Sequence, residues 1–375
     1  MPLPEPRKGK ALGFGLYPEA DWESTLGIPE AIIWSGIHHL YSRSAAEYYA
    51  AEVHGIASKN DRATVATSVK LYVQQASEFY EAAATAKPNT APLIYYYSFL
   101  NLAKALCEFR NPRFHSRPEC YAHGLSWRPD PQKVVNLEKE TVTLRGRGVW
   151  QVLWETMTKL PYSAANPTQI PVQKLFSYCH EISAEYGRVM GFPTPLVPVK
   201  EPQVFVDEEL RESWLRFSLE RTEFKDHRLS APKLISQIRI ARSSYVEVKS
   251  KKKNMRTFQS ETAKKMRRRE TVFSGLEGDI LGLNLFASLD RDRDLRYSIP
   301  LQGPLPLRLP QLMVSYTILF WLGSLVRYDP HSVYELMDSP FWILIDGFMS
   351  QSRVWLLELF WWALFRKETT LLTAR

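Results

Sequence analysis

Between Asp61 and Ala86 the residues Val65, Val69, Tyr72, Val73, Ala76, Phe79 and Tyr80 recur three and four positions apart. That spacing is the period of a helix with one buried face, and a strand cannot present it. Upstream, Ala31-Ile-Ile-Trp34, Ile37, Leu40-Tyr41 and Tyr48 predict a helix from Pro29 to about Ile56, and downstream Pro88 ends the central one. Thr90 then offers a cap, and Pro92 a first-turn proline, to a third helix reaching about Phe109 with Tyr95, Phe99, Leu102 and Leu106 on its buried face.

Beyond Arg110 comes a proline-broken loop, Asn111 to Pro118. Val135, Leu137, Val142 and Leu144 alternate, which predicts a small β excursion. Helices are expected at about 150–159 and 171–190, and Pro193, Pro195, Pro198 and Pro202 mark a connection into a mixed region where Ile238–Val248 has strand chemistry. The chain returns to helix at 309–328, about 331–350 and 353–368. The expected fold is mainly α: a helical bundle core built from the N- and C-terminal helices, with a smaller α+β insertion. Its parts would be an irregular arm over residues 1–30, a helical region over 31–130, the insertion over 131–305, and C-terminal helices over 306–375 packing on the core.

At 375 residues, 45% hydrophobic and 23% charged, the chain has a globular composition that excludes wholesale disorder, collagen and a disulfide scaffold. Its net charge of +8 is local, because Lys249–Arg269 alone carries +9 and leaves the remainder at −1. No apolar run follows the start, Met1-Pro-Leu-Pro-Glu-Pro-Arg7, so a cytoplasmic location is expected, and three scattered cysteines, Cys107, Cys120 and Cys179, are expected to be free thiols. The run Leu312–Val326 and the shorter Val354–Phe365, which contains Glu358, fall short of the ~20 residues of a membrane-spanning helix. Both read as buried core helices rather than a membrane hairpin.

The segment Ala91-Pro-Leu-Ile-Tyr-Tyr-Tyr-Ser-Phe-Leu-Asn-Leu-Ala-Lys-Ala-Leu106, followed by His123-Gly-Leu125, resembles the signature region of the bacterial YaaC-like family. Tyr316-Thr-Ile-Leu-Phe-Trp-Leu-Gly-Ser-Leu-Val-Arg-Tyr-Asp-Pro330 resembles that family's second signature, a helix ending in Arg-Tyr-x-Pro. This resemblance implies an architecture rather than an activity. Residues 60–125 are also similar, more coarsely, to HEPN domains, in which a Tyr-Tyr helix precedes an Arg-x4-6-His motif. That second resemblance implies metal-independent RNA cleavage at a site shared by two protomers, hence a homodimer, in bacterial stress or phage defence.

Arg110-Asn111-Pro-Arg-Phe-His115 has the Arg-x4-His spacing, and Arg117 to His123 the Arg-x5-His spacing. A neutral imidazole can take a 2′-hydroxyl proton and an imidazolium can return one to the leaving oxygen. A guanidinium can hold the phosphate, with Asn111 orienting either group. Structural roles compete with this: such spacings are common, Pro112 and Pro118 interrupt the helix that would present the motif, and His123 before Gly124 also suits a packed or capping residue. Cys120-x2-His123 is the one ligand pair suited to zinc, so no metal or cofactor is assigned. Neither a phosphate-binding Gly-Lys-Ser/Thr loop nor a dinucleotide fingerprint is present.

The basic tract offers Lys249, Lys251, Lys252, Lys253, Arg256, Lys264, Lys265, Arg267, Arg268 and Arg269, with Phe258 among them as a stacking residue. It reads either as a solvated hairpin tip or as a phosphate clamp for RNA or another nucleic acid. Two functions therefore stand: an RNA-binding or RNA-cleaving effector acting through the Arg/His loop, or a non-catalytic scaffold binding a protein or nucleic acid through the tract.

Overall fold

The computed structural model describes residues 3–12, 29–129, 135–162, 168–238, 244–266, 276, 283–289, 295–301 and 307–365. The chain divides into a helical unit, Asp21–Thr194 with Pro304–Lys367, and a sheet unit, Met1–Ala20 with Pro195–Gly303 and Glu368–Arg375. In chain order the first helices are α1 (Pro29–His38), α2 (Arg43–Glu52), α3 (Lys59–Thr85), α4 (Ala91–Arg110), α5 (Val149–Thr158), α6 (Val172–Phe176) and α7 (Ser183–Met190). The sheet unit contributes α8 (Arg221–Asp226) and α9 (Ala231–Ile238), after which come α10 (Gln311–Tyr328), α11 (Pro330–Met337), α12 (Trp342–Gly347) and α13 (Arg353–Phe365).

In the helical unit, α4 is the axial element and packs against α3, α5, α10 and α13. Ser58 caps α3 by accepting the Asp61 amide at 3.3 Å. Thr90 precedes α4, but its hydroxyl donates back to the Lys87 carbonyl at 3.1 Å instead of capping. Tyr95, Phe99, Leu102 and Leu106 are buried as the spacing predicts, yet so is most of the rest of α4, and α10 is buried from Gln311 to Leu325. Helices apolar all round belong at the centre of a bundle. Gly323 permits their contact: a Cβ there would lie 3.1 Å from Tyr96 Cβ and 3.4 Å from Leu93 Cα. Among the described residues no helix is long and apolar enough to cross a membrane.

The fold is α+β, which corrects the expectation of a mainly helical bundle. Strand β1 (Lys10–Leu12) belongs to the sheet unit, and β2 (Leu125–Ser126), β3 (Thr141–Leu144) and β4 (Thr168–Pro171) form a three-stranded antiparallel sheet in the helical unit. The sheet unit adds β5 (Leu196–Asp207), β6 (Glu212–Glu220), β7 (Tyr245–Val248), β8 (Met255–Ser260), β9 (Lys264–Lys265), β10 (Phe286–Leu289) and β11 (Leu295–Pro300). Its described strands make an eight-stranded antiparallel sheet in the order β10-β11-β5-β6-β8-β7, with β1 beside β5 and β9 beside β6.

Two physical causes hid this sheet. Proline punctuation masked the twelve-residue β5: Pro198 pairs with Ser298, and Pro202 falls in the register shift between Lys200 and Gln203. A bulge tolerates a residue that cannot donate to the ladder. Strand β6 shows no alternation, because Trp214, Leu215, Phe217, Ser218 and Leu219 are all buried. Strand β7 begins only at Tyr245; Ile238 ends α9, and residues 239–243 lie outside the described residues.

Two carboxyls of the helical unit are raised by burial, Glu181 to about 7 and Glu358 further, and Glu358 makes the unit sensitive to pH. Glu358 in α13 is 5% exposed, and burial pushes its carboxyl from 4.5 up to about 8. The native state therefore holds this proton more tightly than the unfolded chain, so its contribution to stability falls as pH rises from about 4.5 towards 8. Glu358→Gln is expected to raise the thermal midpoint at pH 8 and to change it little at pH 5, as followed by circular dichroism. An equal shift at both pH values would contradict a protonation effect.

Candidate functional site

The loop after α4 is organised by a residue the sequence did not single out. Glu108 is fully buried, and its carboxylate accepts the backbone N–H groups of Arg113 at 2.8 Å and His115 at 2.7 Å. The same carboxylate lies 3.0 Å from His115 Nδ1, which also meets Ser68 Oγ of α3 at 3.1 Å. Nδ1–H donation to Glu108 occupies that nitrogen and leaves Nε2 as the second nitrogen of the ring, whose side chain is 38% exposed. Arg113 adopts the left-handed conformation, φ 70°, and its guanidinium lies 3.5 Å from Asp61. Arg110 closes α4 half-buried, the Asn111 amide donates to the Cys107 carbonyl at 2.8 Å, and Arg117 is exposed at the start of a short turn, Pro118–Tyr121.

His123 lies elsewhere along α4. Its Nδ1 is 2.7 Å from the Tyr96 hydroxyl, and its ring packs against Tyr96 and Phe320. Burial, followed by the charges of Lys104 and Arg327, holds its pKa below the ordinary 6.5, so the ring is neutral at neutral pH. Burial keeps the Tyr96 phenol protonated, so it can donate to Nδ1 and leave the ring proton on Nε2 as a donor for a ligand. The segment is fixed by contact between two glycine backbones. A Cβ on Gly148, φ 149°, would fall 2.2 Å from Gly124 N, while the Val149 and Trp150 amides donate to the Ala122 and His123 carbonyls. Tyr96 and Glu108 are twelve residues apart on one helix, so the anchors of the two histidines are separated by about 18 Å along its axis. Within one chain, His115 and His123 therefore belong to two different centres.

Beside His123 a pocket of about 330 Å³ opens between α4, α10 and the segment Leu125–Pro129. Its cations are Arg128 and Arg327, His123 adds a neutral imidazole, its rings include Tyr97, Trp127, Phe320 and Tyr328, and Ser126 and Ser324 add hydroxyls; no acidic residue lines it among the described residues. The Arg327 guanidinium donates to the Tyr97 hydroxyl at 3.3 Å and lies 5.0 Å from the Tyr328 ring centre. Asp329, next in sequence, is engaged away from it, accepting the Ser332 amide at 3.2 Å and hydroxyl at 2.7 Å.

A family model described as YaaC-like Protein matches residues 38–364. The chain belongs to the YaaC-like family. No curated protein and no solved structure matches it. The two stretches that carry the YaaC-like resemblance meet at the pocket, the first through Leu93, Tyr96, Tyr97, His123 and Leu125, the second through Phe320, Gly323, Ser324, Arg327 and Tyr328. The sequence signal for Arg327 as a site residue was its place in the second stretch, about two hundred positions from the first.

The basic tract of this YaaC-like chain is largely folded into the sheet unit. Arg256 on β8 makes a two-pronged pair with Glu247 of β7, at 2.7 and 2.6 Å, and covers the Phe224 ring. Lys249 pairs with Glu5 and Lys265 with Glu212, and the Lys264 backbone pairs with Ser213. Lys251, Lys252 and Lys253 are exposed in the β7–β8 turn. Phe258 is not a stacking residue: it is 0% exposed in the sheet core against Phe217 and Phe224. Arg267, Arg268 and Arg269 lie outside the described residues. All three cysteines are free and buried; the Cys120 thiol meets the Tyr72 hydroxyl at 3.2 Å while His123 turns to Tyr96. No group of three or more His, Cys, Asp or Glu that could hold a metal occurs among the described residues.

Removing Glu108 would leave two backbone donors and an imidazole without their acceptor. Glu108→Ala is expected to lower the unfolding free energy of the helical unit by about 3 kcal/mol in urea titrations, the scale of losing charged hydrogen bonds at a buried group. A loss below about 0.5 kcal/mol would show that the carboxylate does not organise the loop.

Proposed function

We propose that the helical unit binds a phosphate-bearing ligand with a planar ring, a nucleotide unit of RNA, in the pocket between α4 and α10. The observation that carries this reading is the convergence of His123, Arg128 and Arg327 on a pocket whose described lining holds no carboxylate. An anion entering it meets donors without like-charge repulsion, and Arg327 is already oriented by Tyr97. Tyr97 and Tyr328 supply ring faces for a base. Arg327→Ala is expected to weaken binding of uridine monophosphate by at least about tenfold in isothermal titration, the scale of a lost charge-assisted hydrogen bond. Unchanged affinity would reject the pocket as the anion site.

Metal-independent RNA cleavage is a second reading, favoured by one observation: Glu108 and Ser68 hold His115 by Nδ1, an orientation suited to a general base. A separate acid would then have to come from elsewhere, as in a symmetric dimer. This reading expects cleavage of single-stranded RNA in chelator, lost in His115→Ala with the fold intact; a strict requirement for a divalent ion would reject it. The scaffold reading keeps Lys251–Lys253 as its contact. Neutralising those three lysines would then abolish partner binding that Arg327→Ala leaves untouched.

A further inference from the structure

The surface chemistry of the pocket continues past His123. Lys104, two turns along α4 from Tyr97, stands over the Tyr72 ring, 5.8 Å from its centre, and its charge acts on His123. The Tyr72 hydroxyl meets Cys120, and the next residue, Tyr121, is 80% exposed. A tyrosine ring so exposed is free to sweep through solvent unless held, and here its hydroxyl donates to the His115 carbonyl at 3.1 Å. Arg117, exposed, opens the same short turn. The carboxylates nearby are engaged: Glu108 lies buried beneath His115, and Glu119 pairs with Arg147 at 3.1 Å. Cations and rings therefore alternate from the pocket, through Lys104 and Tyr72, to Tyr121 and Arg117.

We infer that the ligand is a single-stranded nucleic acid several nucleotides long, with one unit in the pocket and a neighbouring base stacked on Tyr121 beside Arg117. This rests on the pocket reading above and extends it. A positively charged track set with ring faces is what an unpaired strand recognises, since each phosphate finds a cation and each base a π-face. A tethered ring loses little freedom on stacking, so more of the contact appears as affinity. An acidic peptide would use the cations but leave the Tyr121 face unoccupied.

The test compares uridine monophosphate with a fluorescein-labelled oligouridylate of about six nucleotides, using the full chain and fluorescence anisotropy with competition. The oligonucleotide is expected to bind at least about tenfold more tightly than the monomer, the size expected of one stacked base. Tyr121→Ala should remove about that factor from the oligonucleotide and leave the monomer unchanged, whereas Tyr121→Phe, which keeps the ring but loses the hydroxyl tether to His115, should fall between the two. If the oligonucleotide binds no better than the monomer, or Tyr121→Ala has no effect, while Arg327→Ala still weakens the monomer, the extended track is wrong and the pocket stands. If the wild-type chain does not bind the monomer, the pocket reading fails and takes this inference with it. Displacement of the oligonucleotide by hexaglutamate as efficiently as by unlabelled oligonucleotide would overturn it in favour of an acidic peptide.

Discussion

Two helices that are buried nearly all round have to pack face to face, and the helical unit depends on how closely α4 and α10 can approach. At Gly323 the absence of a side chain lets α10 come against Leu93 and Tyr96 of α4. Ser324, next to it, and Arg327 and Tyr328, about one turn on, thereby reach the same pocket as Tyr96 and Tyr97. A pocket built between two packed helices is rigid, because neither wall can shift without disturbing the core behind it. The Gly124–Gly148 contact does the same for His123, setting the loop against the start of α5.

Electrostatics then differentiates the ends of α4. A carboxylate near a helix C-terminus opposes the helix dipole, yet Glu108 sits there fully buried. Backbone amides and the His115 imidazole compensate it, and the loop conformation follows from that requirement. Beside Tyr96, in the second turn of α4, the balance is reversed: burial, then the charges of Lys104 and Arg327, keep His123 neutral beside a pocket whose described lining holds no acid. The sheet unit handles its charge in a third way, with Arg256, Lys249 and Lys265 each paired to a carboxylate.

The helices were legible where burial is one-sided or ends at a proline. The three- and four-residue spacing of α3 and the Pro88 break read directly, and the apolar run from Leu312 became the buried α10. Strands β5 and β6 were not legible, since prolines interrupt one and two-sided burial erases the alternation of the other. For the site, the Arg/His loop drew notice through spacing, but a lone glutamate among apolar helix residues looks like any solvent-facing acid. Only folding shows that Glu108 points inward. Arg327 was likewise invisible as a partner of His123, because a contact between positions two hundred residues apart leaves no local pattern.

Hydrogen–deuterium exchange of the full chain, with and without uridine monophosphate, tests the central claim most directly. Binding in the pocket predicts slowed exchange confined to peptides covering 93–97, 123–129 and 320–330, with the sheet-unit segment 245–265 unchanged. Protection in 245–265 with none around His123 and Arg327 would contradict the account.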